Sequence, residues 1–130
     1  MTRFTFVHAA DLHLDAPFRG VSDMLLSSSS SVIRPKAFEE LARLLREATF
    51  IALRRLTELC IREQADALLL AGDIYNSADS SLRARLALRD AFVRLEAHGV
   101  RVFLVHGNHD PLSEEASAIP WPGNVIAFGS

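Results

Sequence analysis

Three short stretches of this chain cluster side chains able to bind a metal or move a proton. The first reads ADLH and contributes Asp11 and His13. The second reads AGD and ends in Asp73. The third reads GNHD and contributes Asn108, His109 and Asp110. Carboxylate, imidazole and amide donors in one set suit Mn²⁺, Fe²⁺ or Zn²⁺ rather than Ca²⁺. Asp11 and His13 stand at i and i+2, so in an extended segment both side chains project the same way. Asp73 has two carboxylate oxygens and can bridge two cations, while Asn108 adds a neutral carbonyl oxygen. Gly72 and Gly107 allow sharp turns and close approach of the backbone to an ion. Each stretch alone has a plainer reading. Asp-x-His is common, Asp73 could cap a turn or helix, and GNHD could be a polar turn.

Their placement sets them apart from ordinary turns. Each follows an apolar run of strand length: Phe4–Ala10, Ala67–Ala71 and Val100–Val105. The runs are nearly continuous rather than alternating, which predicts strands buried on both faces. Between the first two lies a helical pattern from about Pro35 to Gln64. Its expected core stripe is Phe38, Leu41, Leu45, Ala48, Ala52, Leu56 and Leu59, and Pro35 suits the first turn. β-Branched Thr49 or Ile51 would mark any bend. A second helix is expected from about Ser80 to His98, presenting Leu82, Leu86, Leu88, Phe92, Val93 and Leu95, with Gly99 as a left-handed cap. NVIAFGS begins a fourth strand. Strand, helix, strand, helix, strand predicts an α/β fold of βαβ units with a mostly parallel sheet. Such sheets bind ligands at the carboxyl ends of their strands, so the three clusters should meet in one crevice.

Composition sets outer bounds. At 130 residues, 49% of them hydrophobic, the chain is one domain's worth of folded protein. A net charge of −2 excludes a strong chain-wide attraction for nucleic acid. The one cysteine, Cys60, reads as a core thiol in a reducing cytoplasm. There is no signal-peptide pattern, and no run nears the roughly 18 apolar residues that span a membrane. A cytoplasmic protein without membrane contact is the expectation. The Ser-rich stretch over residues 21–34 reads as a flexible loop. Of the other histidines, His8 reads as structural, His98 as satisfying a helix end, and His106 as a hydrogen-bonded core residue. Asp15, Tyr75 and Asp79 lie near the motif loops, where solvated turns explain them equally well.

The ordered series DLH, GD, GNHD resembles the first half of the calcineurin-like metallophosphoesterases. The fuller wording FVHAADLHLDAPFRG, LLLAGDIY and VHGNHDP resembles their bacterial DNA-repair exonuclease branch, the SbcD-like nuclease subunits. The likeness runs from Phe4 to about Gly129, and many relatives in that branch have Gly where this chain has Asp15. The resemblance implies the first half of an αββα sandwich and a two-metal phosphodiesterase. Asp11 and His13 would hold the first ion, Asp73 would bridge both, and Asn108 would hold the second. His109 would be the catalytic imidazole, oriented by Asp110. Two cations about 3.5–4 Å apart activate a hydroxide and clamp an in-line displacement at phosphorus. Manganese is the expected metal, with iron or zinc as alternatives.

The resemblance also implies DNA as substrate of the full-length protein and an ATPase subunit as partner. The second ion is short of ligands, because the family pattern supplies further histidines from a later half. Residues 1–130 are therefore expected to be the N-terminal part of a longer nuclease domain, weakly active or inactive alone. A sheet meant to pack on a second sheet would expose an apolar face, so a homo-oligomer is also expected. Two alternatives stay open: hydrolysis of nucleotides, phosphoproteins or small phosphodiesters, and a non-catalytic scaffold with the same fold.

Overall fold

A computed structural model of the chain describes residues 3–16, 35–74, 82–105 and 119–128. In chain order the elements are β1 (Phe6–Ala10), α1 (Pro35–Arg62), β2 (Ala67–Ala71), α2 (Leu82–Ala97), β3 (Arg101–Val105) and β4 (Val125–Phe128). The strands form one sheet in the order β1-β2-β3-β4, every neighbouring pair parallel. This is the α/β architecture expected from the alternation of apolar runs and helical patterns. The Ser-rich stretch, Tyr75, Asp79 and His106 lie outside the described residues.

In-register partners of a parallel ladder point to the same face. Val7 lies beside Leu68 and Val102, and Ala9 beside Leu70 and Leu104. These residues form the face that meets the helices. The core joins Leu68, Leu70, Val102 and Leu104 to Leu53 and Cys60 of α1 and to Ala84, Leu88, Ala91, Phe92 and Leu95 of α2. The opposite face carries Phe6, His8, Leu69, Phe103, Val105, Ile126 and Phe128. Among them Phe6, Val105, Ile126 and Phe128 are exposed, and the Phe103 and Phe128 rings stack 6.3 Å apart. The strands are thus buried on one face, not both as their apolar runs predict. The reason is that the core draws both helices to the same side of the sheet.

The helices also turn differently from expectation. In α1 the inward line is Phe50, Leu53, Thr57 and Cys60, whereas Leu41, Ala48 and Ala52 are exposed. Thr57 can be buried because its hydroxyl donates to the Leu53 carbonyl at 2.9 Å, which satisfies its polar atom. The side chain of Phe38 lies outside the described ones. In α2 Leu88, Phe92 and Leu95 face inward as expected, joined by Ala84 and Ala91, while Leu82, Leu86 and Val93 are exposed.

Both helices end the same way. In α2 the Gly99 amide donates to Glu96 and the Val100 amide to Leu95, with Gly99 at φ +73°. In α1 the Gln64 amide donates to Ile61 and the Ala65 amide to Cys60, with Gln64 at φ +50°. Each is a Schellman closure, and it wants glycine at the left-handed position. His98 adds a ring contact of Nδ1 with the Arg94 carbonyl at 2.9 Å, as expected of a histidine at a helix end.

Two predictions follow from these ends and from the core. Gln64→Gly removes a left-handed strain of about 1 kcal/mol, so thermal melting should rise by a few degrees. Cys60 is fully buried and free, and burial pushes its thiol above the ordinary range. In the unfolded chain the thiol ionises near its usual value, about 8.5. The unfolded state then holds fewer protons, so this group lowers stability as pH rises through that value. Ellman's reagent should label Cys60 only after denaturant is added, and melting should fall between pH 8 and 10 less in Cys60→Ala than in the native chain.

Candidate metal centre at the strand ends

Parallel pairing continues beyond the last residues of β1 and β2. The Asp11 amide donates to the Ala71 carbonyl at 3.1 Å, His13 to Asp73 at 3.1 Å and Leu14 to Ile74 at 3.0 Å. Leu14 and Ile74 are buried, so the two loops are nailed into the core just past their polar residues. Between the nails lie Asp11, His13 and Asp73, at the carboxyl edge of the sheet.

A side-chain contact tightens this junction. Asp11 Oδ1 accepts the Asp73 amide at 3.1 Å, which leaves Oδ2 for another partner. Gly72 makes that contact feasible, for a Cβ built on it would collide with Asp11 Oδ1. Its φ of +79° is a second reason for glycine. Asp11, His13 and Asp15 have φ of +54°, +43° and +58°. The left-handed region costs a residue with a Cβ roughly 1–2 kcal/mol, and aspartate tolerates it better than most. Three such residues in alternate positions make this a strained segment, as is common at functional sites. The backbone at Asp15 is one that glycine would adopt without strain.

The strand ends thus bring Asp11, His13 and Asp73 onto two loops paired along their backbones. Two carboxylates and an imidazole fit a divalent transition metal by donor chemistry. Among the described residues, no three such side chains are gathered closely enough to hold an ion by themselves. Asn108, His109 and Asp110 lie outside the described residues.

Other residues at this edge were not singled out by sequence spacing. Thr49 of α1 accepts the Asp15 amide on its hydroxyl at 3.2 Å. Arg85 of α2 is only 3% exposed. It stacks on Trp121, with Cζ 3.1 Å from the ring centroid, and donates to the Ile119 carbonyl at 2.7 Å. It therefore anchors the chain leading into β4. A buried arginine carries no signature in sequence; its helical neighbours give it the look of a solvated one.

Comparison with known proteins decides the family. A model of the calcineurin-like phosphoesterases matches residues 4–129. The chain belongs to that family. It is 40% identical over 130 residues to the uncharacterized metallophosphoesterase YhaO of Bacillus subtilis (strain 168). That alignment takes in all of this chain and 29% of the relative, so the chain spans under a third of the relative's length. A four-stranded parallel sheet flanked by helices agrees with the phosphoesterase fold. Divalent metal ions are the cofactors of this family, and no helix among the described residues is long and apolar enough to cross a membrane.

For a calcineurin-like phosphoesterase, the Gly72 contact should matter to metal binding. In full-length protein, Gly72→Ala drives the Asp11 carboxylate off the Asp73 amide. Divalent-metal affinity by titration calorimetry should fall roughly tenfold or more, the range seen when a ligand's orienting partner is lost.

Proposed function

We propose that the full-length protein is a metal-dependent phosphodiesterase acting on DNA. The observation that carries this reading is the junction of Asp11 with Asp73, where the Asp11 carboxylate accepts the Asp73 main-chain amide at adjacent parallel strand ends. His13 shares the Asp11 loop. Asp11, His13 and Asp73 would hold one ion, Asp73 and Asn108 a second, with manganese favoured over iron or zinc. The ions, when bound, supply charge stabilisation at phosphorus and activation of water. His109 donates a proton to the leaving oxygen or answers the charge that develops there, and Asp110 keeps its ring oriented. Membership of the phosphoesterases supports the reaction class. The choice of DNA rests on the wording of the three motifs, which resembles the DNA-repair exonuclease branch. An ATPase subunit as partner, a cytoplasmic location and self-association through the uncovered sheet face belong to the same proposal.

The test is cleavage by full-length protein with Mn²⁺, comparing labelled duplex DNA, single-stranded DNA and a generic phosphomonoester. DNA should be degraded, and chelator should stop it. Hydrolysis of the phosphomonoester alone would remove DNA from the proposal. His109→Asn should lower kcat by roughly a hundredfold or more while Mn²⁺ binding persists. Undiminished DNA cleavage in that variant would end the catalytic assignment.

A further inference from the structure

The Asp11–His13 loop is tied to the helical layer at its far end, through Asp15. The Thr49 hydroxyl takes the Asp15 amide at 3.2 Å and donates in turn to the Arg46 carbonyl at 2.7 Å. Both hydrogen-bonding capacities of that hydroxyl are thus directed, one outward to the loop and one back into α1. On either side of Thr49 stand Glu47 and Phe50, which together seat Arg83 of α2. The Arg83 Nη2 lies 2.6 Å from Glu47 Oε1, and its guanidinium sits 4.3 Å from the centroid of the Phe50 ring. The bond to Glu47 raises the affinity of Arg83 for its proton, and the Asp15 carboxylate adds to that effect. Asp15 therefore meets α1 through its backbone, and that part of α1 meets α2 through Glu47, Phe50 and Arg83.

The loop has need of such an anchor. Its alternate residues Asp11, His13 and Asp15 are held left-handed, a conformation that persists only where the surroundings enforce it. The ladder to β2 enforces it on one side, as far as Leu14. Beyond Leu14 the Asp15 amide is held by Thr49, and the Ala16 amide turns back to the His13 carbonyl at 3.1 Å.

We propose that Thr49, Glu47 and Arg83 are positioning residues that clamp the Asp15 end of this loop and so hold Asp11 and His13 in the arrangement a divalent ion requires. The inference rests on the reading of that loop as part of a metal centre. Thr49 acts on the loop through the backbone of Asp15, and Glu47 and Arg83 act through the α1 turn that carries Thr49.

The experiment measures Mn²⁺ binding to full-length protein by titration calorimetry, beside melting of the metal-free protein. Thr49→Val keeps the shape and removes the hydroxyl, Thr49→Ser restores it, and Arg83→Met removes the charge from α2. His13→Asn is the reference for the metal centre itself. The expected result is roughly tenfold weaker Mn²⁺ binding in Thr49→Val and Arg83→Met, near-native binding in Thr49→Ser, and metal-free melting within a few degrees throughout. Native affinity in Thr49→Val and Arg83→Met, with binding lost in His13→Asn, would overturn the clamp and leave the metal centre standing. Loss of affinity that serine does not rescue, or that tracks a matching fall in melting, would reduce the three to ordinary structural residues and overturn it as well. Undiminished binding in His13→Asn would instead strike at the metal centre on which the clamp depends.

Discussion

The main-chain hydrogen bonds that run on past β1 and β2 hold the rest of the site in register. Asp11, His13 and Leu14 donate to Ala71, Asp73 and Ile74, so residues some sixty positions apart in sequence travel as one double loop. Main-chain bonds of this kind leave side chains free for other work. Leu14 and Ile74 use that freedom to enter the core, and the acidic and imidazole groups between them stay at the edge. Position is set by the backbone and chemistry by the side chains, and the two can vary separately. Gly72 is the exception, because there the lack of a side chain is itself the fitting part.

Around this junction the fold divides its labour unevenly. One face of the sheet receives both helices and nearly all the buried apolar side chains, while the other displays aromatic and β-branched residues. The 28-residue α1 is about 42 Å long at 1.5 Å per residue, against about 17 Å for a five-residue strand. Its C-terminal half lies on the sheet and closes against β2 through Gln64. Thr49, near its middle, meets the loop that leaves β1. A helix so much longer than the strands beside it can serve as core at one end and as a support for the site farther along.

Much of this was legible in the residues, and the failures have physical causes. The apolar runs ending in ADLH, AGD and VRVFLV located β1, β2 and β3 to within two residues, because a parallel strand needs unbroken hydrophobicity and then a polar stop. The helix ends were readable from Pro35 and Gly99. The inward face of α1 was readable only in part, with Leu56 packed against the core as expected. Alanine at 48 and 52 looks apolar on paper but buries little surface, whereas Thr57 looks polar and hides its hydroxyl in a bond to Leu53. Burial of one sheet face only was not legible from the apolar runs themselves; the exposed face was expected from the resemblance, which implies a second sheet to cover it. Asp11, His13 and Asp73 were expected at strand ends, and the structure sets them there on two loops paired along their backbones. Thr49 was noticed only as a point of bending, and nothing in the sequence marked Glu47, Arg83 or Arg85, because their contacts join elements distant in sequence.

The alternating left-handed residues after β1 have a bearing on how this segment can drift. At positions 11, 13 and 15 the backbone filters substitutions before any chemistry is considered. Valine, isoleucine and threonine, the replacements a strand end would otherwise welcome, are disfavoured at all three by their branched Cβ. Glycine, asparagine and aspartate pass that filter, and only some of them can also bind a cation. The permitted alphabet is therefore narrow even at Asp15, where glycine would satisfy the backbone and surrender the carboxylate.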